Sequence, residues 1–203
     1  MKITKYNLLN DGDIVLFHQN KSCFGRCIQF CSSSKFSHIG MVLKNPIYID
    51  PKLNEGLYLI ESGLEPYKDS EDNKYKLGVQ IQKLLPILKE YGESNIYCRR
   101  LNKLGDFPIN KMKDIHDTIH NKPYDLNPID WVEGLVDVKA PIFNKKTTNR
   151  FWCSALVSYI YLKLGYLRFD TSWTLINPED WNDKSKTLNF TNCNLSKVER
   201  ISY

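Results

Sequence analysis

Residues 149–165 read NRFWCSALVSYIYLKLG, the most apolar helical segment of the chain. Cys153, Leu156, Val157, Ile160 and Leu164 fall on one stripe at helical spacing, and Gly165 supplies a C-cap. A helix this apolar must be covered, and the segments ahead of it are strands. DIVLFH (13–18) follows the turn residues Asp11-Gly12-Asp13; HIGMVLKN (38–45), GLYLIESG (56–63), KLGVQIQKL (76–84) and NIYCRRLN (95–102) come next. The loop 45–55 contains two prolines and joins its flanking strands as an antiparallel hairpin. Val79 and Ile81 alternate with Gln80 and Gln82, which predicts a half-buried strand. Strands first and a strongly apolar helix later predict an α+β fold, an antiparallel sheet packed against that helix. Shorter helices are expected over 22–31, over LPILKEYG (85–92) and over 111–120, and a last strand in KVERISY (197–203). Residues 122–128 read as a turn and 131–149 as loop-rich.

A length of 203 residues, 42% hydrophobic, is expected to form a single domain over 1–203. The first residues lack the apolar stretch of a signal peptide, and no window approaches the roughly 18 apolar residues of a membrane span. A cytoplasmic location is therefore expected, or the virion if the source is viral; the Lys, Asn and Ile content suits an AT-rich genome, bacterial or viral. Lysines are scattered among acids at a net charge of +5, so no nucleic-acid partner is expected. Peripheral membrane contact stays compatible with the sequence, although no segment reads as an amphipathic membrane helix. The oligomeric state has no signature.

Six cysteines (23, 27, 31, 98, 153 and 193) without a secretion signal favour free thiols over disulfides. Cys153 reads equally as core filler or as a nucleophile. Thr147, Thr148 and Asn149 are candidate N-caps that set Cys153 in the first helical turn, where free amides and the helix dipole favour a thiolate and can hold an oxyanion. A nucleophile needs a base, and the base an orienting group. His38 opens one strand of the hairpin and Glu61 lies near the end of the other. If the two are directly opposed, their side chains share a face and the carboxylate fixes the imidazole tautomer.

The trio SHIGMVL, LIES and WCSALVSYIY, in that order, resembles the circularly permuted branch of the NlpC-type papain-like cysteine hydrolases, which includes YiiX-like bacterial proteins and related poxvirus proteins. DGDIVLF, GVQIQKL, NIYCRRL, KPYD and NPEDW are similar to further pieces of that pattern, so the likeness covers most of the chain. It implies a permuted papain-like fold with Cys153 as nucleophile, His38 as base and Glu61 as its orienter, Tyr124 bordering the pocket and Trp152 shaping it. The activity implied is hydrolysis of a peptide or acyl-amide bond, as in a thiol peptidase or amidase, through an acyl-enzyme and with no cofactor. An acyltransferase or thioesterase acting on lipid acyl groups, and a non-catalytic ligand-binding protein on the same fold, are the alternatives.

Two other patterns suggest metal. Cys23, Cys27 and Cys31 form a row at steps of four, without a close C-x₂-C pair or an evident fourth ligand. His116 and His120 imitate the paired histidines of a zincin, but Asp117 stands where the general-base glutamate belongs and no third ligand follows. No metal site is expected from either. Cys98 is expected in the core, and His18 at a strand end on the surface.

Overall fold

The computed structural model describes residues 1–18, 35–64, 66–125 and 148–203. The helix expected over 22–31, with Cys23, Cys27 and Cys31, lies outside those residues, as does most of 131–149. The seven-stranded sheet has the order β1-β9-β6-β2-β3-β4-β5. Its strands are β1 (Ile3–Lys5), β2 (Ile14–Phe17), β3 (His38–Lys44), β4 (Leu57–Gly63), β5 (Gly78–Lys83), β6 (Ile96–Arg99) and β9 (Glu199–Ser202). Neighbours are antiparallel except the edge pair β1 and β9, which run parallel. A small pair, β7 (Leu101–Lys103) and β8 (Cys193–Leu195), stands beside it. The mixed α+β class agrees with the sequence; β1 and the parallel edge were not anticipated.

Helices cover both faces. The helix α3 (Cys153–Leu164) and α2 (Ile109–Ile119) pack on the face made by Ile14, Leu16, Ile39, Met41, Ile60 and Ile81. Leu84, Ile87 and Leu88 of α1 (Leu84–Tyr91) cover Val15, Phe17, Val42, Leu59 and Cys98 on the other. Both faces of the central strands are therefore dry, which is why β2 and β3 read as continuous apolar runs rather than as alternating ones. Burial of α3 is not confined to a stripe. Ser154, Ser158, Tyr159 and Tyr161 are as buried as Leu156 and Ile160, as befits a helix apolar on all sides.

The ends of α3 are fixed by backbone chemistry. Gly165 adopts φ 84°, and the amides of Gly165 and Tyr166 bond back to the carbonyls of Leu162 and Tyr161, closing a Schellman turn. One turn earlier, the Tyr161 hydroxyl donates to Gly12 O at 2.5 Å, tying the helix to the turn ahead of β2. The N-terminus departs from expectation. Trp152 occupies the N-cap without a side-chain capping bond, so neither Thr148 nor Asn149 fills that role, and Thr147 lies outside the described residues. Cys153 is nonetheless the first helical residue. Among the described residues no helix is long and apolar enough to cross a membrane.

Ile160 is fully buried between α3 and the sheet. Ile160→Ala is expected to lower the unfolding free energy by about 2–5 kcal/mol, seen as a lower urea midpoint at unchanged m-value.

Candidate active site

The hairpin of β3 and β4 comes apart at one end. Its ladder runs from Lys44–Leu57 to Met41–Ile60 and goes no further. Beyond that point β3 stays paired with β2 as far as His38–Phe17, and β4 stays paired with β5 as far as Gly63–Gly78. The two middle strands therefore separate where His38 and Glu61 reside. Continued in register, Gly40 would face Glu61 and His38 would face Gly63. The direct opposition of His38 and Glu61 anticipated from sequence is thus replaced by a diagonal relation on one face.

That diagonal still brings the side chains together. His38 Nε2 lies 2.5 Å from Glu61 Oε2, and both groups are buried. The other carboxylate oxygen accepts from Gln80 Nε2 at 3.3 Å, while the same amide donates to Gly63 O at 3.2 Å. Gln82 Nε2 in turn donates to Gln80 Oε1 at 3.1 Å and to Tyr67 O at 2.6 Å. Gln80 and Gln82 are 1% exposed, so β5 is not the half-buried strand its alternation suggested. Its polar residues are turned inward to support a buried carboxylate. Gly63 is a matter of space: a Cβ there would come 3.2 Å from His38 Cε1.

Cys153, the first residue of α3, lies next to the same imidazole. With Nε2 occupied by Glu61, Nδ1 is the other ring nitrogen, and the Cys153 thiol is near enough to the imidazole to act on its titration. Burial would depress the pKa of His38, but the Glu61 carboxylate first, and the Cys153 hydrogen bond and charge after it, hold it well above the ordinary 6.5. The chain entering Cys153 is clamped. Ser62 Oγ donates to Phe151 O at 2.7 Å, Phe151 N donates to Pro123 O at 3.1 Å, and Ser154 Oγ donates to Ile176 O at 2.6 Å. The first bond of the helical ladder is Leu156 N to Trp152 O at 3.0 Å, so the amides of Cys153, Ser154 and Ala155 precede it and face the helix N-terminal end.

Tyr124 lies beside this group. It bridges to Phe151, and burial, then the charges of Cys153 and Asp125, push its phenol well above the usual 10. Trp152 belongs to the main core, with its indole N–H 3.5 Å from Ile176 O. The structure thus collects Cys153, His38, Glu61 and Tyr124 in one place, with Trp152 anchoring the backbone next to the thiol. Gln80, Ser62 and Gly63 were missed by sequence reasoning. Their one available signal was two glutamines on a strand whose neighbours offer no solvent-facing side.

The remaining candidates separate. Cys98 is fully buried, its thiol pushed up to about 12 by burial and then by Asp13 and Glu199. Cys193 is half-buried in β8, and His18 Nδ1 meets Lys35 O at 2.5 Å. His116 and His120 do acquire a third neighbour: Glu71, supplied by the segment between β4 and β5. The sequence had no means to pair it with residues 45 and 49 positions away.

No protein-family model and no curated protein sequence matches the chain. Among solved structures it is similar to that of the metalloprotein YiiX from Escherichia coli O157:H7, with 20% identity and a TM-score of 0.46 over 77% of this chain and 66% of that one. The chain spans about two thirds of the length of that protein.

Because His38 is raised in the folded state, the stabilisation it contributes is complete below the unfolded value of about 6.5 and is lost as pH rises through the folded value. Glu61→Gln removes the largest cause of the rise and leaves burial dominant. The unfolding free energy of the parent is expected to fall as pH increases from about 6.5, and that fall should be absent from Glu61→Gln. Urea unfolding across the pH series measures the difference, and an unchanged slope in the variant would contradict the assignment.

Proposed function

We propose that the protein is a cysteine hydrolase that cleaves an amide bond, peptide or acyl-amide, through an acyl-enzyme on Cys153. The observation that carries this reading is the buried series Cys153–His38–Glu61, with the thiol at the first residue of α3 and the imidazole held by a carboxylate. On the same reading the fold is a permuted papain-like arrangement, since the base and its orienter precede the nucleophile helix in the chain.

His38 Nδ1 takes the proton from Cys153 Sγ, and the resulting ion pair is favoured by Glu61 behind the ring. The thiolate attacks the carbonyl carbon, and the π pair moves onto the oxygen. That oxyanion accepts hydrogen bonds from the first amides of α3, where the helix dipole adds to the attraction. Collapse expels the amine, which leaves with the proton from His38, and a thioester remains. Water, deprotonated by His38, attacks the thioester; the acid departs and the thiolate is regenerated. Glu61 transfers no proton in this sequence. It keeps the imidazole oriented and its charged form stable, and Gln80 keeps Glu61 in place.

A panel of peptide and acyl-amide substrates, read by product release and by intact mass, tests the proposal. The parent should show an acyl adduct on Cys153, Cys153→Ala should lose turnover, and His38→Ala should retain about 10⁻²–10⁻⁴ of it. Site-resolved iodoacetamide labelling should find Cys153 reactive in the folded parent and slowed in His38→Ala. Turnover that persists in Cys153→Ala, or labelling of Cys153 only after unfolding, would overturn the assignment.

A further inference from the structure

We propose that Glu71, His116 and His120 form a zinc-binding site separate from the cysteine group. The proposal goes beyond the hydrolase reading and stands without it. Three donor atoms converge: His116 Nε2 and His120 Nδ1 are 3.3 Å apart, His120 Nδ1 is 3.4 Å from Glu71 Oε2, and His116 Nε2 is 3.2 Å from the same oxygen. Tetrahedral zinc with bonds of about 2.0–2.1 Å sets its ligand atoms roughly 3.3 Å from one another. The three edges match one face of that tetrahedron. The fourth position is left for water or a substrate atom, as in sites with three protein ligands.

Protons do not explain the cluster as well. If both ring nitrogens donate to Glu71, two N–H groups face each other at 3.3 Å. If one donates to the other nitrogen instead, the acceptor has no proton for the carboxylate. No placement of protons on the two nitrogens turns all three contacts into hydrogen bonds, whereas one divalent cation satisfies all three.

The site is also built in advance. His116 and His120 lie one turn apart at the C-terminal end of α2, and the His120 amide bonds to His116 O. Glu71 is held by a turn in which Asp69 Oδ1 accepts from the amides of Glu71 and Asp72 at 2.8 and 2.9 Å, while Asp69 Oδ2 accepts from Ile81 N in β5 at 2.8 Å. Lys52 Nζ donates to Glu71 O at 3.1 Å. The outer nitrogen of each histidine has a carboxylate at ion-pair distance, Asp117 at 3.7 Å from His116 Nδ1 and Asp72 at 3.8 Å from His120 Nε2. Neither distance is a hydrogen bond, and His116 Nδ1 is buried without a hydrogen-bond partner, so the rings are placed by α2 and not by outer carboxylates. Glu71 and His116 are 6% exposed, whereas His120 is half-buried, giving an ion an approach from that side.

The test uses the full chain, stripped with a chelator and dialysed against zinc, with metal read by elemental analysis. One zinc per chain is expected, retained in Cys153→Ala. Glu71→Gln and His120→Asn, each checked for native circular dichroism, should bind more than about 100-fold more weakly, because losing even an outer partner costs 10–100-fold. Cobalt in place of zinc separates this site from thiols: visible d–d bands without near-ultraviolet thiolate charge transfer are expected. No uptake by the parent, affinity unchanged in both folded variants, or a cobalt spectrum dominated by thiolate would overturn the proposal.

Discussion

A carboxylate with no access to water sets the terms for the centre of this molecule. Glu61 is fully buried in β4, where a lone charge would cost several kcal/mol. It is tolerable because each oxygen has a partner, His38 on one side and Gln80 on the other. His38 and Glu61 lie two residues out of step on one face of the hairpin, just beyond the Met41–Ile60 end of its ladder. Gly63 leaves room for the imidazole, since a Cβ there would come 3.2 Å from His38 Cε1. Sheet register, glycine placement and polar burial thus meet at one histidine–carboxylate pair.

The same pair sets the charge of the ring beside the thiol. His38 is buried, and burial favours the neutral ring; the carboxylate reverses that preference and keeps the protonated ring accessible. Cys153 stands next to that ring at the first residue of α3, where the free amides of the first helical turn lie. Position matters as much as charge. Ser62 and Ser154 fix the backbone on either side of Cys153 through Phe151 O and Ile176 O, so the thiol meets the ring from a held main chain rather than from a loose one.

How much of this could be read beforehand follows from the range of each interaction. The hairpin around 45–55, the apolar stretch of α3 and its stop at Gly165 are local, written in prolines, periodicity and one glycine, and they were legible. The association of His38, Glu61 and Cys153 was legible only as a set of residue types that chemistry would want together. Their register was not, because a splayed ladder leaves no periodic trace. Gln80 and Gln82 misled for a physical reason: a polar residue at every second position signals solvent only when the sheet has a wet face, and here the side chains are buried and bonded to Glu61, Gly63 O and Tyr67 O. Glu71 was out of reach because its partners are brought near by packing of α2, not by spacing. The N-cap was misplaced since Trp152 ends the extended chain without a polar side chain to announce it.

One strand connects the two histidine–carboxylate groups. In β5 the side chain of Gln80 supports Glu61, and the amide of the next residue, Ile81, anchors Asp69, which positions Glu71. Gln82 then reaches Tyr67 in the intervening segment. Consecutive residues of an extended strand point their side chains to opposite faces while their amides alternate in direction. A single strand can therefore serve one cluster with a side chain and the other with its backbone. Any shift of β5 along its axis would disturb both carboxylates together. This gives β5 a reason to be polar, buried and tightly paired to β4 at once, a combination that hydrophobic packing alone would not select.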